Sequence, residues 1–237
     1  MTSTAPVFAA VLFDMDGTLL DSERVWDVSL HELARSLGGA LSTPAREAMV
    51  GTSMAVSMDI LYTDLEVAGR DSAVDAAWLD RRTAELFADG LIWRPGAHEL
   101  LRAVRDAGLR TALVTSTSRP LVEVALGTLG AANFDAVVCG GETPAKPDPA
   151  PYREALRQLG LAPSDVLVIE DSPTGTASAL AAGCRVLAVP VAAPVAARPG
   201  MVLRADLSGL TVTDLRAIWT RARETRPGSG SAGSASG

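Results

Sequence analysis

Residues 11–22, VLFDMDGTLLDS, decide how this chain is read: an apolar run ends abruptly in two aspartates one residue apart. Alternate side chains of a strand share a face, so Asp14 and Asp16 are expected close together where the strand stops. Two carboxylates in one small place repel. The repulsion is tolerable if a divalent cation or a phosphoryl group lies between them, or if one carries a proton during turnover. Gly17 then lets the chain turn without steric penalty. Two other readings compete. Asp14, Asp16, Gly17 and Glu23 match part of a helix–loop–helix calcium loop, but Leu12 stands where its first aspartate is needed and the approach is strand-like rather than helical. A plain surface turn is the second alternative, and residues 11–22 alone do not exclude it.

The bulk properties narrow the class. A chain of 237 residues is long enough to bury a sizeable core, as one domain or as a core with a modest insertion. Its composition, 48% hydrophobic and 21% charged, is that of a globular protein. A net charge of -7 disfavours nucleic acid or an acidic membrane as partner, because no basic excess is available to release counterions. No apolar run approaches the length of a membrane span. The opening MTSTAPVFAAVLFD lacks the basic region of a signal peptide, so a cytoplasmic location is the default expectation. Cys139 and Cys184 lie in or beside apolar runs and read as buried free thiols.

Residues 7–13 form the first expected strand. The spacing of Val25, Trp26, Leu30, Leu33 and Leu37 then predicts a helix over 22–37, stopped by Gly38 and Gly39. Residues 44–50, 54–65 and 71–87 also read as helices, so a helical block of about seventy residues separates the first strand from Arg94-Pro95-Gly96. After it the pattern alternates. Helices are expected over 97–107, 121–129, 151–159 and 174–182, each followed by glycine, with apolar strands at 110–115, 135–139, 166–169 and 185–189. Helices alternating with continuously apolar strands imply a parallel sheet covered on both faces. Right-handed crossovers then bring every strand end to one edge, where open α/β folds bind ligands.

Those ends carry Asp14 and Asp16, then Thr115 and Ser116, then Lys146 within KPDP, then Glu170 and Asp171. Acid, hydroxyl, cation and acid on one rim are not what ordinary turns supply.

With these residues in view the chain resembles the haloacid dehalogenase superfamily of aspartate-nucleophile phosphohydrolases, in the branch with a helical cap inserted after the first strand. DMDGTLLDS at 14–22, LVTST at 113–117, KPDP at 146–149 and VIEDSPTG at 168–175 carry the resemblance, in the family's order, across residues 7–189. It implies an α/β, Rossmann-like parallel sheet core (1–20 and 91–225) with an inserted helical cap (21–90), and a Mg²⁺-dependent phosphomonoester hydrolase acting through an aspartyl phosphate.

By that resemblance Asp14 is the nucleophile. Asp16 is the general acid for the leaving alkoxide and then the base for water. The dehalogenases lack this second aspartate, which disfavours dehalogenation. The implied Mg²⁺ ligands are Asp14, the main-chain carbonyl of Asp16, Asp171, and Glu170 directly or through water. Helix capping is the competing role for Glu170 and Asp171, but Ser172 can cap alone. Thr115 through its hydroxyl and Ser116 through its backbone N–H are expected to hold a phosphate oxygen, with Lys146 neutralising charge on phosphorus. A turn is the plainer reading of this Ser/Thr cluster, Thr117 and Ser118 included. A solvated surface is the plainer reading of Lys146, set against two prolines that stiffen its loop.

The cap sets the substrate. Glu23, Trp26, Gly51 and Thr52 are the expected cap contacts, Trp26 either stacking on a sugar or filling the cap core. A histidine commonly stands at the Trp26 position in β-phosphoglucomutase-like relatives, so its absence shifts the expectation from a phosphotransferase toward a hexose-phosphate phosphatase. His31 and His98 read as structural, and Arg81 and Arg82 as a solvated helix face. The expected partner is a small-molecule phosphate ester, and the expected state a monomer or weak dimer. A catalytically idle phosphate-binding module is the non-enzyme reading. Residues 201–203 are an expected edge strand, 210–223 a final amphipathic helix, and 226–237 a disordered tail.

Overall fold

The computed structural model describes residues 8–225, so the expected tail and the start of the first expected strand lie outside the described residues. Strand β1 is Ala10–Phe13, and all four of its residues are buried. Five more strands follow: β2 (Arg110–Ser118), β3 (Ala136–Gly140), β4 (Val166–Glu170), β5 (Arg185–Ala188) and β6 (Met201–Leu203). They form one sheet in the order β3-β2-β1-β4-β5-β6, with every pair parallel. β1 is therefore central, and the direction of winding reverses around it, which is where open α/β sheets form a crevice.

Period two distributes the core. Val11, Phe13, Leu113, Leu167, Ile169 and Leu187 pack on one face with helices α5 (Ala97–Asp106), α6 (Arg119–Leu129) and α9 (Val212–Glu224). Ala10, Leu12, Val114, Val166, Val168 and Val186 pack on the other, against α7 (Ala150–Leu159) and α8 (Pro173–Ala181). Both faces are covered, so the strands must be apolar throughout, which is why they read as runs rather than alternations.

Between β1 and α5 the chain forms α1 (Glu23–Ser36), α2 (Thr43–Met49), α3 (Met54–Asp64) and α4 (Ser72–Ala88). These helices have their own buried cluster, including Leu30, Leu33, Met58, Leu61 and Leu79. Local chemistry starts three of them: Ser42, Ser53 and Asp71 each accept a hydrogen bond from a first-turn backbone N–H. The insertion leaves and re-enters at one place, because Asp21 N donates to the Ile92 carbonyl and Arg94 N to the Leu19 carbonyl.

Two boundaries differ from expectation for a chemical reason. α1 begins after Ser22, yet that serine makes no side-chain cap; its hydroxyl donates instead to Asp16 Oδ1 at 2.6 Å. β2 continues past Thr115 to Ser118 through an irregular register with β3, so the expected turn is strand. The last helix starts at a capping box of Thr211 and Asp214, and buries Leu215, Ile218 and Trp219 as its spacing predicts. Cys139 and Cys184 are both buried, as their apolar surroundings predict. Among the described residues no helix is long and apolar enough to cross a membrane.

Candidate active site

Strand register brings the site together. Phe13 pairs with Leu113 on one side and Ile169 on the other, so Asp14, Val114 and Glu170 follow side by side at the sheet edge. Asp14 N still donates to the Ile169 carbonyl, which holds the residue at strand geometry. Lys146 comes from the loop after β3 and is buried. Its Nζ donates to Asp14 Oδ1 at 2.8 Å, Glu170 Oε1 at 2.7 Å and the Val114 carbonyl at 2.9 Å, which satisfies all three ammonium protons. The surface reading of Lys146 is thereby excluded. Carboxylate oxygens of Asp14, Glu170 and Asp171 lie within 4.8 Å of one another, all buried.

One lysine faces three acids, and the electrostatics follow. Burial pushes the Asp14 carboxyl up to about 8, with Glu170 and Asp16 adding to the rise and Lys146 opposing it. Burial, with Asp14 and Glu170 beside it, raises Asp171 well above the usual carboxylate range. Burial alone would lower Lys146, but Asp14 and Glu170 outweigh it and hold the ammonium above its ordinary value. Excess buried negative charge among hard oxygen donors is what a divalent cation such as Mg²⁺ would compensate, so these residues fit that ion.

The expected ligands are not equally available. Glu170 is saturated: Oε1 accepts from Lys146 and from the buried Tyr152 hydroxyl at 2.8 Å, while Oε2 accepts from Asp171 N, Ser172 N and Ser172 Oγ. Asp171 is less committed, with one long bond from Thr18 Oγ1 at 3.4 Å. Ser172 caps α8, accepting from Gly175 N. Gly175 is needed there, because a Cβ on it would stand 1.7 Å from Glu170 Oε1.

Asp16 sits on the cap side. Its Oδ1 accepts from Ser22 Oγ at 2.6 Å and Trp26 Nε1 at 3.2 Å; its Oδ2 accepts from Thr117 Oγ1 at 2.7 Å and Thr115 Oγ1 at 3.1 Å. Four donors from two chain segments, the start of α1 and the end of β2, aim this carboxylate. Thr115 is buried and engaged with Asp16 and with Thr117 N, whereas Ser116 and Thr117 line the cavity. Thr117 thus has a place that its reading as a turn residue did not include. Its parity carries the signal, since residues 115 and 117 of one strand share a face. Trp26 is half-buried, near-perpendicular to the Phe87 ring, and both packs against the cap cluster and lines the cavity.

The cavity above these residues measures about 430 Å³. Glu23, Trp26, Gly51 and Thr52 line it, as do Arg46 and Met54, which the sequence did not single out. The cap meets the core directly where Thr174 Oγ1 donates to the Gly51 carbonyl. His31 bonds the Asp27 carbonyl, His98 packs on Trp93, and Arg82 pairs with Glu32 and Glu85, so none of them reaches the cavity.

A parallel α/β core with a helical insertion after its first strand, and a buried acid–lysine cluster at the strand ends, defines a hydrolase class. The chain belongs to the haloacid dehalogenase-like hydrolase family, whose model matches residues 8–183. It is 34% identical over 217 residues to hexitol phosphatase A of Escherichia coli, covering 85% of this chain and 93% of that one. It is 35% identical over 187 residues to phosphoglycolate phosphatase of Rhodospirillum rubrum, covering 75% and 78%. Among solved structures, CbbY from Rhodobacter sphaeroides in complex with phosphate superimposes with a TM-score of 0.79 at 27% identity, covering 89% of this chain and 100% of that one. The expectations of family, enzyme class and fold agree with these likenesses.

Proposed function

We propose that this protein is a Mg²⁺-dependent phosphomonoester hydrolase acting on a small sugar or polyol phosphate through an aspartyl phosphate on Asp14. The observation that carries the proposal is the buried bridge of Lys146 between Asp14 and Glu170, open to a cavity of substrate size. The likeness to hexitol phosphatase A, named for a polyol phosphate, supports the substrate type.

An Asp14 oxygen attacks phosphorus as the bond from phosphorus to the ester oxygen breaks. Asp16 gives its proton to the departing alkoxide, and later takes one from the water that attacks the same phosphorus and releases Asp14. Lys146 and the backbone N–H of Ser116 meet negative charge on the phosphoryl oxygens. Thr115, Thr117, Ser22 and Trp26 keep Asp16 turned toward the leaving group. Asp14 and Asp171, with the main-chain carbonyl of Asp16, would hold Mg²⁺. Glu170, with both oxygens occupied, orients Lys146 and the loop after β4, and would act on the ion only through a water. When bound, Mg²⁺ neutralises phosphoryl charge and restores Asp14 to its ionised form. Domain limits of 1–20 and 91–225 for the core and 21–90 for the cap fit the separate cap cluster.

The test is release of inorganic phosphate from p-nitrophenyl phosphate and a panel of sugar and polyol phosphates. Mg²⁺-dependent release that EDTA abolishes is expected. Glucose 1-phosphate with a bisphosphate primer should yield free phosphate; isomer in its place would make the protein a phosphotransferase, and no reaction with any ester would make it a binding module.

A further inference from the structure

The cap-side wall of the cavity holds a single cation among the described residues, and its charge is already matched. Arg46 on α2 donates from Nε to Asp27 Oδ1 at 2.5 Å and from Nη2 to Glu23 Oε2 at 2.5 Å, with a longer bond from Nη2 to the Glu23 carbonyl. Both α1 acids come from the first turn and a half of that helix, four residues apart and so on one face. Arg46 and Glu23 line the cavity and are largely buried, with side-chain exposures of 13% and 17%; Asp27 stands behind them at 51%. Among the described residues lining the cavity, the other cation is Lys146, held by Asp14 and Glu170. The rest of this wall is Leu30, Met49, Val50, Met54, Ala55 and Leu79.

We propose that the Glu23–Arg46–Asp27 cluster restricts the site to phosphomonoesters whose remainder carries no charge, making Glu23 and Asp27 specificity-determining residues. The proposal rests on the phosphatase reading and names the substrate class within it. A second phosphate or a carboxylate at the far end of a substrate would leave water for a corner where one cation faces two carboxylates. Nothing there compensates the lost hydration, and an unpaired buried anion is strongly disfavoured. A hydroxyl meets a different surface. Arg46 Nη1 and Glu23 Oε1 bond no described residue, and Ser53, Thr52 and Ser57 line the same wall, so donors and acceptors for a neutral polyol are present. Methylene and thioether groups of the remaining wall suit its carbon chain.

The test uses a matched pair on the Mg²⁺-loaded full-length enzyme: glucitol 6-phosphate, which ends in an alcohol, and 6-phosphogluconate, identical except for a terminal carboxylate. The wild type should favour glucitol 6-phosphate in kcat/KM by at least roughly tenfold, carried by KM rather than kcat. The double variant Glu23→Gln, Asp27→Asn keeps hydrogen-bond acceptors but frees the charge of Arg46, and its preference should shrink to within about threefold or reverse. If the double variant does not fold, the wild-type ratio and the single Asp27→Asn change at the exposed partner decide the matter in the same direction. Equal turnover of both esters by the wild type, or an unchanged ratio in folded variants, would overturn the assignment while leaving the phosphatase reading intact. No phosphate from either ester or from p-nitrophenyl phosphate would overturn that reading and this assignment with it.

Discussion

Replacing Asp14 by Asn should destroy activity and stabilise the metal-free protein. The folded carboxyl sits at about 8, pushed there first by burial and opposed by Lys146, against 3.8 when unfolded. At pH 7 the folded group is therefore largely protonated and the unfolded one ionised. Each pH unit in that interval is worth about 1.4 kcal/mol, so the wild type carries a penalty on the order of 4 kcal/mol that Asn does not. Asn, like the protonated carboxyl that prevails at pH 7, keeps a neutral acceptor 2.8 Å from the Lys146 ammonium, so at most about 1 kcal/mol is lost there. The net gain is about 3 kcal/mol, or ~6–12 °C in Tm for a chain of this size. A raised carboxyl contributes a folded state that binds the extra proton, so wild-type stability should fall as pH rises from about 4 to about 8 while the variant's stays flatter. The assay is urea unfolding in EDTA across that range, beside phosphate release with Mg²⁺. Turnover should drop by on the order of 10⁴ or more. A variant less stable than the wild type at pH 7, a gain that shrinks with rising pH, or retained hydrolysis would each refute the reasoning.

Lys146→Met should cost about 3–5 kcal/mol in urea unfolding at pH 7, since it leaves Asp14 and Glu170 buried without their cation; an unchanged midpoint would contradict the buried bridge. Thr117→Val removes the shorter of the two threonine bonds to Asp16, and kcat should fall by roughly 10- to 100-fold with KM little changed. Unaltered initial rates would show that Asp16 needs no such orientation. Gly175→Ala drives a methyl into Glu170 and should lower stability by about 1–3 kcal/mol, read as a lower Tm together with a weaker response to Mg²⁺.

Much of the site was legible because strand ends are. Asp14, Glu170 and Asp171 stand at or just past the ends of apolar strands and Lys146 in the loop after β3, and parallel pairing makes such positions neighbours regardless of their separation in the chain. The cap helices were equally plain from the spacing of Val25, Trp26, Leu30, Leu33 and Leu37 and from the helical stretches expected at 44–50, 54–65 and 71–87. Less was visible wherever one polar group chooses among partners. Ser22 has the position of a helix cap but donates to Asp16, and Thr115, expected on phosphate, donates to Asp16 together with Thr117. Arg46 looked like any charge on a short helix until two acids of α1 closed on it.

What the order of residues alone determined was the set of elements, the parallel α/β architecture with its helical insertion, and the chemistry offered at each strand end. Periodicity and burial along a strand are local properties, and they survive any uncertainty about what lies beside them. What only the tertiary structure decided was allocation: one ammonium shared by two carboxylates, four donors converging on Asp16, Glu170 filled by protein donors, and an arginine neutralised inside the cavity. Those outcomes depend on distances of about 3 Å between side chains from separate segments, set by strand register and by where the cap helices pack against the core.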